Sequence, residues 1–328
     1  EFTLAVADLP ALSLESPQES AAAVNPFPFL QNDARSVNLA PYLVDQIFFS
    51  EKFQTLVGGR FDVIDYKDTH AIPVQGQLFS ISTTREYKKF SPMLGLIFSP
   101  TQNLSFYANG GRAFGPPSTQ VIEDISAEES QQLEAGVKTQ FLNGRFNTGL
   151  AVYQLDKNDL IIPDYSGLRY LSGEQRSRGF EIDVTAQPSA TWQAYLAYGF
   201  NDAELTSFVE DILDQTQTPQ RVDRSGNTPA FAPKHILNVW ATKAIKSNLG
   251  FGVGGRYVSQ QFIDEDNAFE IDDYFTLDAM IYYRLGNWSW SLNAKNLTDT
   301  KYETRGYGSG SVLPGNPFAI FCAAEFRL

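Results

Sequence analysis

Phe318-Ala-Ile-Phe-Cys-Ala-Ala-Glu-Phe-Arg-Leu328 is the last run of the sequence, and its spacing decides the fold class. Counted back from the end, Leu328, Phe326, Ala324, Cys322, Ile320 and Phe318 are apolar or small, with Glu325 and Arg327 between them. Side chains alternate across the two faces of a strand, so this segment offers one apolar face and one polar face. It reads as the closing strand of a transmembrane β-barrel, with one face toward lipid and the other toward a wet lumen. An amphipathic edge strand of a soluble sandwich fits the same residues, so the rest of the chain has to arbitrate.

Working back from that strand, the same alternation recurs. Trp288, Trp290 and Leu292 alternate with Ser289, Ser291 and Asn293, and Phe275, Leu277, Ala279, Ile281 and Tyr283 with Thr276, Asp278 and Arg284. Phe251, Val253 and Tyr257 alternate with glycines and Arg256, and Trp192, Leu196, Tyr198 and Phe200 with Gln193, Gly199 and Asn201. Phe180, Ile182 and Val184 oppose Glu181 and Asp183, and Leu133, Ala135 and Val137 oppose Glu134 and Lys138. Short polar turns fall at Ser50–Lys52, Thr101–Asn103, Asn143-Gly144, Ser189–Thr191, Lys246–Asn248 and Gly286-Asn287. Longer irregular stretches lie between them, near 65–80, 115–128, 163–169, 205–230, 263–272 and 306–315. Tight turns on one side and long loops on the other is the asymmetry of an outer-membrane barrel.

The pattern predicts about thirteen strands, each near the ten residues a tilted membrane strand needs. They fall near 35–49, 53–66, 79–99, 104–114, 129–142, 145–162, 169–187, 191–205, 230–245, 249–263, 272–285, 288–305 and 316–328. Residues 1–32, rich in Pro, Ala and Ser, read as the remnant of an extracellular loop, and 33–328 as the barrel part. An odd number of strands leaves the first with an orphan edge, because bacterial barrels close with even counts. The sequence opens at Glu1 without Met or a signal peptide and is expected to be a fragment whose upstream part is missing.

Composition bounds the chemistry. In 328 residues there are 25 Phe, 15 Tyr and 4 Trp but only 1 Cys and 2 His, so no disulfide framework, metal site or cofactor is expected. His70 and His235 lack companions at ligand spacing, and Cys322 has no positioned base beside it, so both readings stay structural. The Gly252–Gly255 run lacks the helix and basic residue of a phosphate loop, and no catalytic residue is expected. A formal charge of −13 argues against nucleic acid as a partner. No run nears the ~18 apolar residues of a transmembrane helix, which says nothing against a barrel.

Several segments, taken in order, resemble TonB-dependent outer-membrane receptors, in particular ferric-siderophore receptors, over about residues 36–328. The strongest is Asn296-Leu-Thr-Asp-Thr-Lys-Tyr302, similar to a family segment on the penultimate strand, followed by Pro314-Gly315. Tyr42–Gln46, Leu56–Asp62, Phe90–Leu96, Tyr107–Ser118, Gln132–Lys138 and Gly173–Asp183 are similar to successive family hairpins. The resemblance implies an all-β, antiparallel barrel of about 22 strands, of which this chain is the C-terminal portion with the N-terminal plug domain absent. It implies residence in the outer membrane among lipid and lipopolysaccharide. It also implies uptake of a ferric siderophore, energised by the TonB-ExbB-ExbD complex through the plug, with no enzymatic step.

Under that resemblance, Glu174, Arg176, Arg178, Glu181 and Asp183 are expected to form one lumenal ion-pair belt facing the plug. Phe114, Tyr165, Arg169, Tyr170, Phe208, Arg221, Arg224 and Tyr307 are the candidate ligand contacts: aromatic faces for the body of a chelate, Arg for its anionic charge. Gly115-Pro-Pro117 reads as loop initiation, because consecutive prolines donate nothing to a ladder. The competing functions are cobalamin, haem or oligosaccharide import on the same fold, a passive porin-like barrel, and, more remotely, a soluble propeller with repeated blades.

Overall fold

The structure is a computed structural model, and it describes residues 2–6, 27–74, 77–116, 126–163, 165, 170–214, 216–306 and 311–327. In chain order the strands are β1 (Phe2–Val6), β2 (Phe27–Leu39), β3 (Tyr42–Phe48), β4 (Phe53–Val74), β5 (Gln77–Thr101), β6 (Leu104–Gly115) and β7 (Glu128–Phe141). Then come β8 (Phe146–Pro163), β9 (Tyr170–Ser189), β10 (Trp192–Ser207), β11 (Val209–Leu213), β12 (Pro219–Asp223), β13 (His235–Lys246) and β14 (Leu249–Val258). The last are β15 (Gln261–Phe262), β16 (Glu270–Ile271), β17 (Tyr274–Leu285), β18 (Trp288–Lys295), β19 (Glu303–Gly306), β20 (Val312–Pro314) and β21 (Ala319–Phe326).

Fifteen of these strands make one antiparallel sheet in the order β1-β2-β4-β5-β6-β7-β8-β9-β10-β13-β14-β17-β18-β21, with β3 also paired to β4. The small pairs β11-β12, β15-β16 and β19-β20 stand apart from it, inside the longer connections. The short turns hold the left-handed residues that a tight reversal needs, such as Asn143 (φ 56°), Gly144 (φ 80°) and Gly286 (φ 57°).

Directly paired residues share a face, so the register tests the alternation. One unbroken row runs Phe53, Phe98, Phe106, Val137, Leu150, Ile182, Tyr198, Leu237, Tyr257 and Phe275 across consecutive staves. Phe53 follows a short turn directly, whereas Phe275 sits at the opposite end of its stave, so the row climbs by about one residue per strand. That stagger tilts barrel strands by ~35–45°. Trp192 (38% exposed), Phe251 (37%), Ile281 (53%) and Trp290 (36%) lie open on the sheet surface, not in the dry interior that two stacked sheets would make. The apolar row is the lipid face, and the opposite face is the bore.

Every expected stave contains a strand, and several boundaries differ for local reasons. The first breaks at Ala40-Pro41, where proline supplies no amide, yet Leu39 faces Val63 and Tyr42 faces Arg60, so the register continues. The stretch 65–80, expected as a loop, instead extends β4 and β5 into a tall hairpin paired as far as Val74 and Gln77. Of residues 1–32, expected as loop, Phe2–Val6 pair with β2 across Phe27–Asn32. The stave expected at 288–305 stops at Lys295, and Asn296 (φ 47°) and Asp299 (φ 48°) turn the chain before β19.

Candidate functional site

The polar face of β6–β10 and the adjoining β13 carries a dense patch built on glycine. Asn109, Glu134, Tyr153, Gly179 and Asn201 form one inward row, and Lys138, Gly149, Asp183, Ala197 and Asn238 another. Glu181 lies between them on the same face, two residues from Asp183. Glycine makes the close packing possible: a Cβ on Gly149 would meet Asp183 Oδ1 at 2.2 Å, and one on Gly136 the Tyr107 ring at 2.6 Å. Tyr153 Oη donates to Asn201 Oδ1 at 3.1 Å, Gln132 Nε2 to Glu134 Oε2 at 3.1 Å, and Lys138 Nζ stands 5.3 Å over the Tyr107 ring. Glu134, Glu181 and Asp183 outnumber Lys138 here, so the patch presents negative charge to whatever fills the bore.

The expected belt is not one belt. Glu174, Arg176 and Arg178 share parity with Phe180 and Ile182 and therefore occupy the lipid-side face, opposite Glu181 and Asp183. Arg176 Nε bonds Asp156 Oδ1 at 2.5 Å and Arg178 Nε bonds Gln154 Oε1 at 2.9 Å, on the extracellular side of the aromatic Phe180–Phe200 pair. The correction follows from strand period alone: residues an odd number apart cannot share a face.

A second constellation surrounds Asn296, which is buried. Its Nδ2 donates to Thr300 O (2.9 Å) and Asn316 O (3.0 Å), and its Oδ1 accepts Thr300 N (2.9 Å). Its backbone N donates to Asp278 Oδ1 at 2.9 Å, while Asp278 Oδ2 holds Lys295 Nζ at 2.6 Å. Asp299 Oδ1 accepts Phe318 N at 2.9 Å. The Tyr302 ring stacks 4.3 Å from that of Tyr274 and covers Gly315, where a Cβ would lie 2.2 Å from the ring. Asn296-Leu-Thr-Asp-Thr-Lys-Tyr302 is thus a knot that binds three staves.

Residues 8–297 match the family model described as TonB dependent receptor-like, beta-barrel. The chain belongs to that family. It is 29% identical over 296 residues to the metal-pseudopaline receptor CntO of Pseudomonas aeruginosa, covering 87% of this chain and 39% of the relative. It is 28% identical over 300 residues to the ferrichrome outer membrane transporter/phage receptor of Escherichia coli, covering 87% and 37%. Among solved structures, the siderophore receptor PiuA of Acinetobacter baumannii superposes with a TM-score of 0.81 at 22% identity, covering 95% of this chain and 46% of that one. The chain therefore spans about two fifths of the length of these curated relatives. It is part of an outer-membrane β-barrel.

On this receptor-family barrel the ligand candidates are scattered. Phe114 packs on the buried Ile64, Tyr87 and Ala127 cluster. Tyr165 is exposed between β8 and β9, and Tyr170 opens β9 opposite Pro163, its side chain outside the described residues. Arg169 and Tyr307 lie outside the described residues. Phe208 ties the base of the β11-β12 hairpin, its N donating to Ser225 Oγ (3.0 Å) and its O accepting Arg224 N (2.7 Å). Arg224 is held by Glu210 at 2.7 Å, and Arg221 approaches Asp211 at 4.0 Å. His235 belongs to the lipid face, its Nδ1 2.8 Å from Tyr198 Oη; the His70 side chain lies outside the described residues.

Sequence reasoning missed the joint between the last extracellular loops. Asn227 Nδ2 donates to Glu265 O at 2.8 Å, Asn267 Nδ2 to Thr228 O at 2.8 Å, and Thr228 N to Asn267 Oδ1 at 2.9 Å. Phe231 N donates to Phe262 O at 2.9 Å, and Arg305 from the next loop lies 5.6 Å over the Phe231 ring. Burial, helped by nearby Asp264, raises the pKa of the Glu265 carboxyl above its ordinary value. The only sequence signal was a run of Asn and Asp in two loops, which does not specify its partner.

Proposed function

We propose that this chain is the barrel part of an outer-membrane receptor that takes up ferric siderophores. A plug inside the bore would couple ligand binding to the TonB-ExbB-ExbD complex, and lipid and lipopolysaccharide would surround the wall. The observation that carries the reading is the acidic patch of Glu134, Glu181 and Asp183 on the bore face, seated on glycines. A plug with Arg or Lys side chains finds complementary charge there. The relatives named as a metal-pseudopaline receptor and a ferrichrome outer membrane transporter support the ligand class. Transport is then a linkage: a ligand shifts the plug only as far as it binds one plug state better than another.

The test is a titration of the complete receptor with iron-loaded and iron-free chelators, followed by Trp fluorescence. One ferric chelate is expected to give a saturable change that its iron-free form does not. Indifference to every ferric chelate would remove the siderophore assignment. Ion conductance of the complete receptor in planar bilayers separates the passive pore: a plugged barrel stays closed, a porin conducts.

A further inference from the structure

The β5-β6 ladder stops at Met93 paired with Gly111, and above that pair the two strands part. The top of the β6-β7 hairpin leans onto the tall β4-β5 hairpin, where Phe114 packs on Tyr87 and Ile64, and Glu129 pairs with Lys89. On the lipid face the parting opens a groove of about 670 Å3. Phe90, Pro92 and Leu94 form one wall and Leu133 the other, with Gly110 as the floor between them.

Arg112 stands at the extracellular head of this groove, two residues above Gly110 and nine from the short turn at Asn103. That is the height at which a strand of about nine to eleven residues leaves the hydrocarbon. Among the described residues its side chain has no hydrogen-bond or ion-pair partner. On the same face Arg176 is matched by Asp156, Arg178 by Gln154, and Lys234 by Asp202 at 3.8 Å. One unmatched guanidinium at the mouth of an apolar groove is the complement of an acyl chain carrying an anionic head.

We infer that the groove between Leu94 and Leu133 seats one acyl chain of an outer-leaflet lipid whose phosphate is bound by Arg112. The guanidinium offers a forked set of donors to a phosphate, and the glycine floor lets the chain lie against the backbone. The inference rests on the membrane placement of the barrel and not on the siderophore reading.

The test uses the complete receptor assembled in phosphatidylcholine vesicles, with Phe90→Trp as a reporter at the groove. The signal of the unsubstituted receptor, with this chain's Trp192, Trp240, Trp288 and Trp290 on distant strands, is subtracted. Brominated phosphatidylglycerol is expected to occupy the site about fivefold more readily than phosphatidylcholine with the same brominated chains, the preference one Arg confers on an anionic lipid. Arg112→Gln is expected to erase the preference. Gly110→Leu, whose Cβ meets the movable Leu133 methyl at 2.8 Å and touches Gln132 O at an ordinary 3.5 Å, is expected to lower quenching by both lipids. Equal quenching by the two lipids, a preference that survives Arg112→Gln, or quenching unchanged by Gly110→Leu would each overturn the proposal. Heat-modifiable migration on gels checks that each variant has assembled.

Discussion

The β17–β21 end of the sheet and the β4–β7 end hold their extracellular tops by different means. At the first, the buried Asn296 amide ties its own turn to Asn316, and its backbone to Asp278. The loops beyond interlock through Asn227, Thr228 and Asn267. At the second, the ladder is open above Met93 and Gly111, and the tops touch through a small apolar cluster and the Lys89–Glu129 pair. Buried amide bonds are directional and leave costly orphans when broken, whereas an apolar contact and a solvated ion pair tolerate shifts. The first end is therefore a rigid abutment, and the second has the freedom to part and form a groove.

The largest effect that would break this contrast is expected at Asn296. Asn296→Ala strands the Thr300 amide and the Asn316 carbonyl in a buried site and places alanine at φ 47°, so a loss of about 3 kcal/mol or more is expected in denaturant unfolding of the detergent-solubilised chain. Gly315→Ala drives a methyl into the Tyr302 ring and is expected to cost about 2 kcal/mol, most of it recovered in the double variant with Tyr302→Ala. If Gly315→Ala is as harmless as a surface change, the ring does not clamp the turn.

Asn267→Ala removes the reciprocal pair with Thr228 and is expected to cost about 1–2 kcal/mol, read as faster proteolysis between residues 208 and 234. At the loose end, Glu129→Gln removes only a half-exposed ion pair, and a change below ~1 kcal/mol is expected, fading further in high salt. A cost at Glu129 equal to that at Asn267 would erase the distinction between the two ends.

The smallest effect is the pH response of the loop joint. The folded-state pKa of Glu265 is raised by burial, so its contribution is fully present below the ordinary carboxylate range near ~4.3 and is lost as pH rises through the raised value. Asp214, in the turn between β11 and β12, has the opposite sign: hydrogen bonds from Thr216, Thr218 and Gln220 lower its pKa. That turn keeps its order above the ordinary Asp range and loses it as pH falls through the lowered value. Hydrogen exchange followed across pH is expected to show protection falling at the Asp214 turn on acidification while the Asn227–Glu265 joint holds. A joint that loosens on acidification along with the turn would count against the burial of Glu265.

How much was legible depended on whether a feature is local. The staves from Trp192 to Phe326 were readable because strand period is a property of neighbouring residues. The same rule, applied without exception, puts Arg178 on the side of Phe180; grouping it with Glu181 let charge class override parity. The tall β4-β5 hairpin was not readable, since above the membrane no apolar belt enforces alternation and Asp65–Ser80 looks like polar loop. The Asn296 segment was recognisable as a family segment, but its mechanics need Asp278 and Asn316, about twenty residues away on either side.

Sequence by itself determined that the chain is a series of amphipathic membrane strands joined by short turns on one side, because each strand carries its two solvents in its own alternation. Only the tertiary structure decided which polar residues meet: the Glu134, Glu181 and Asp183 patch, the Asn227–Asn267 joint and the unmatched Arg112. Those meetings depend on register and stagger between strands far apart in the chain, and no single strand encodes its neighbour's offset.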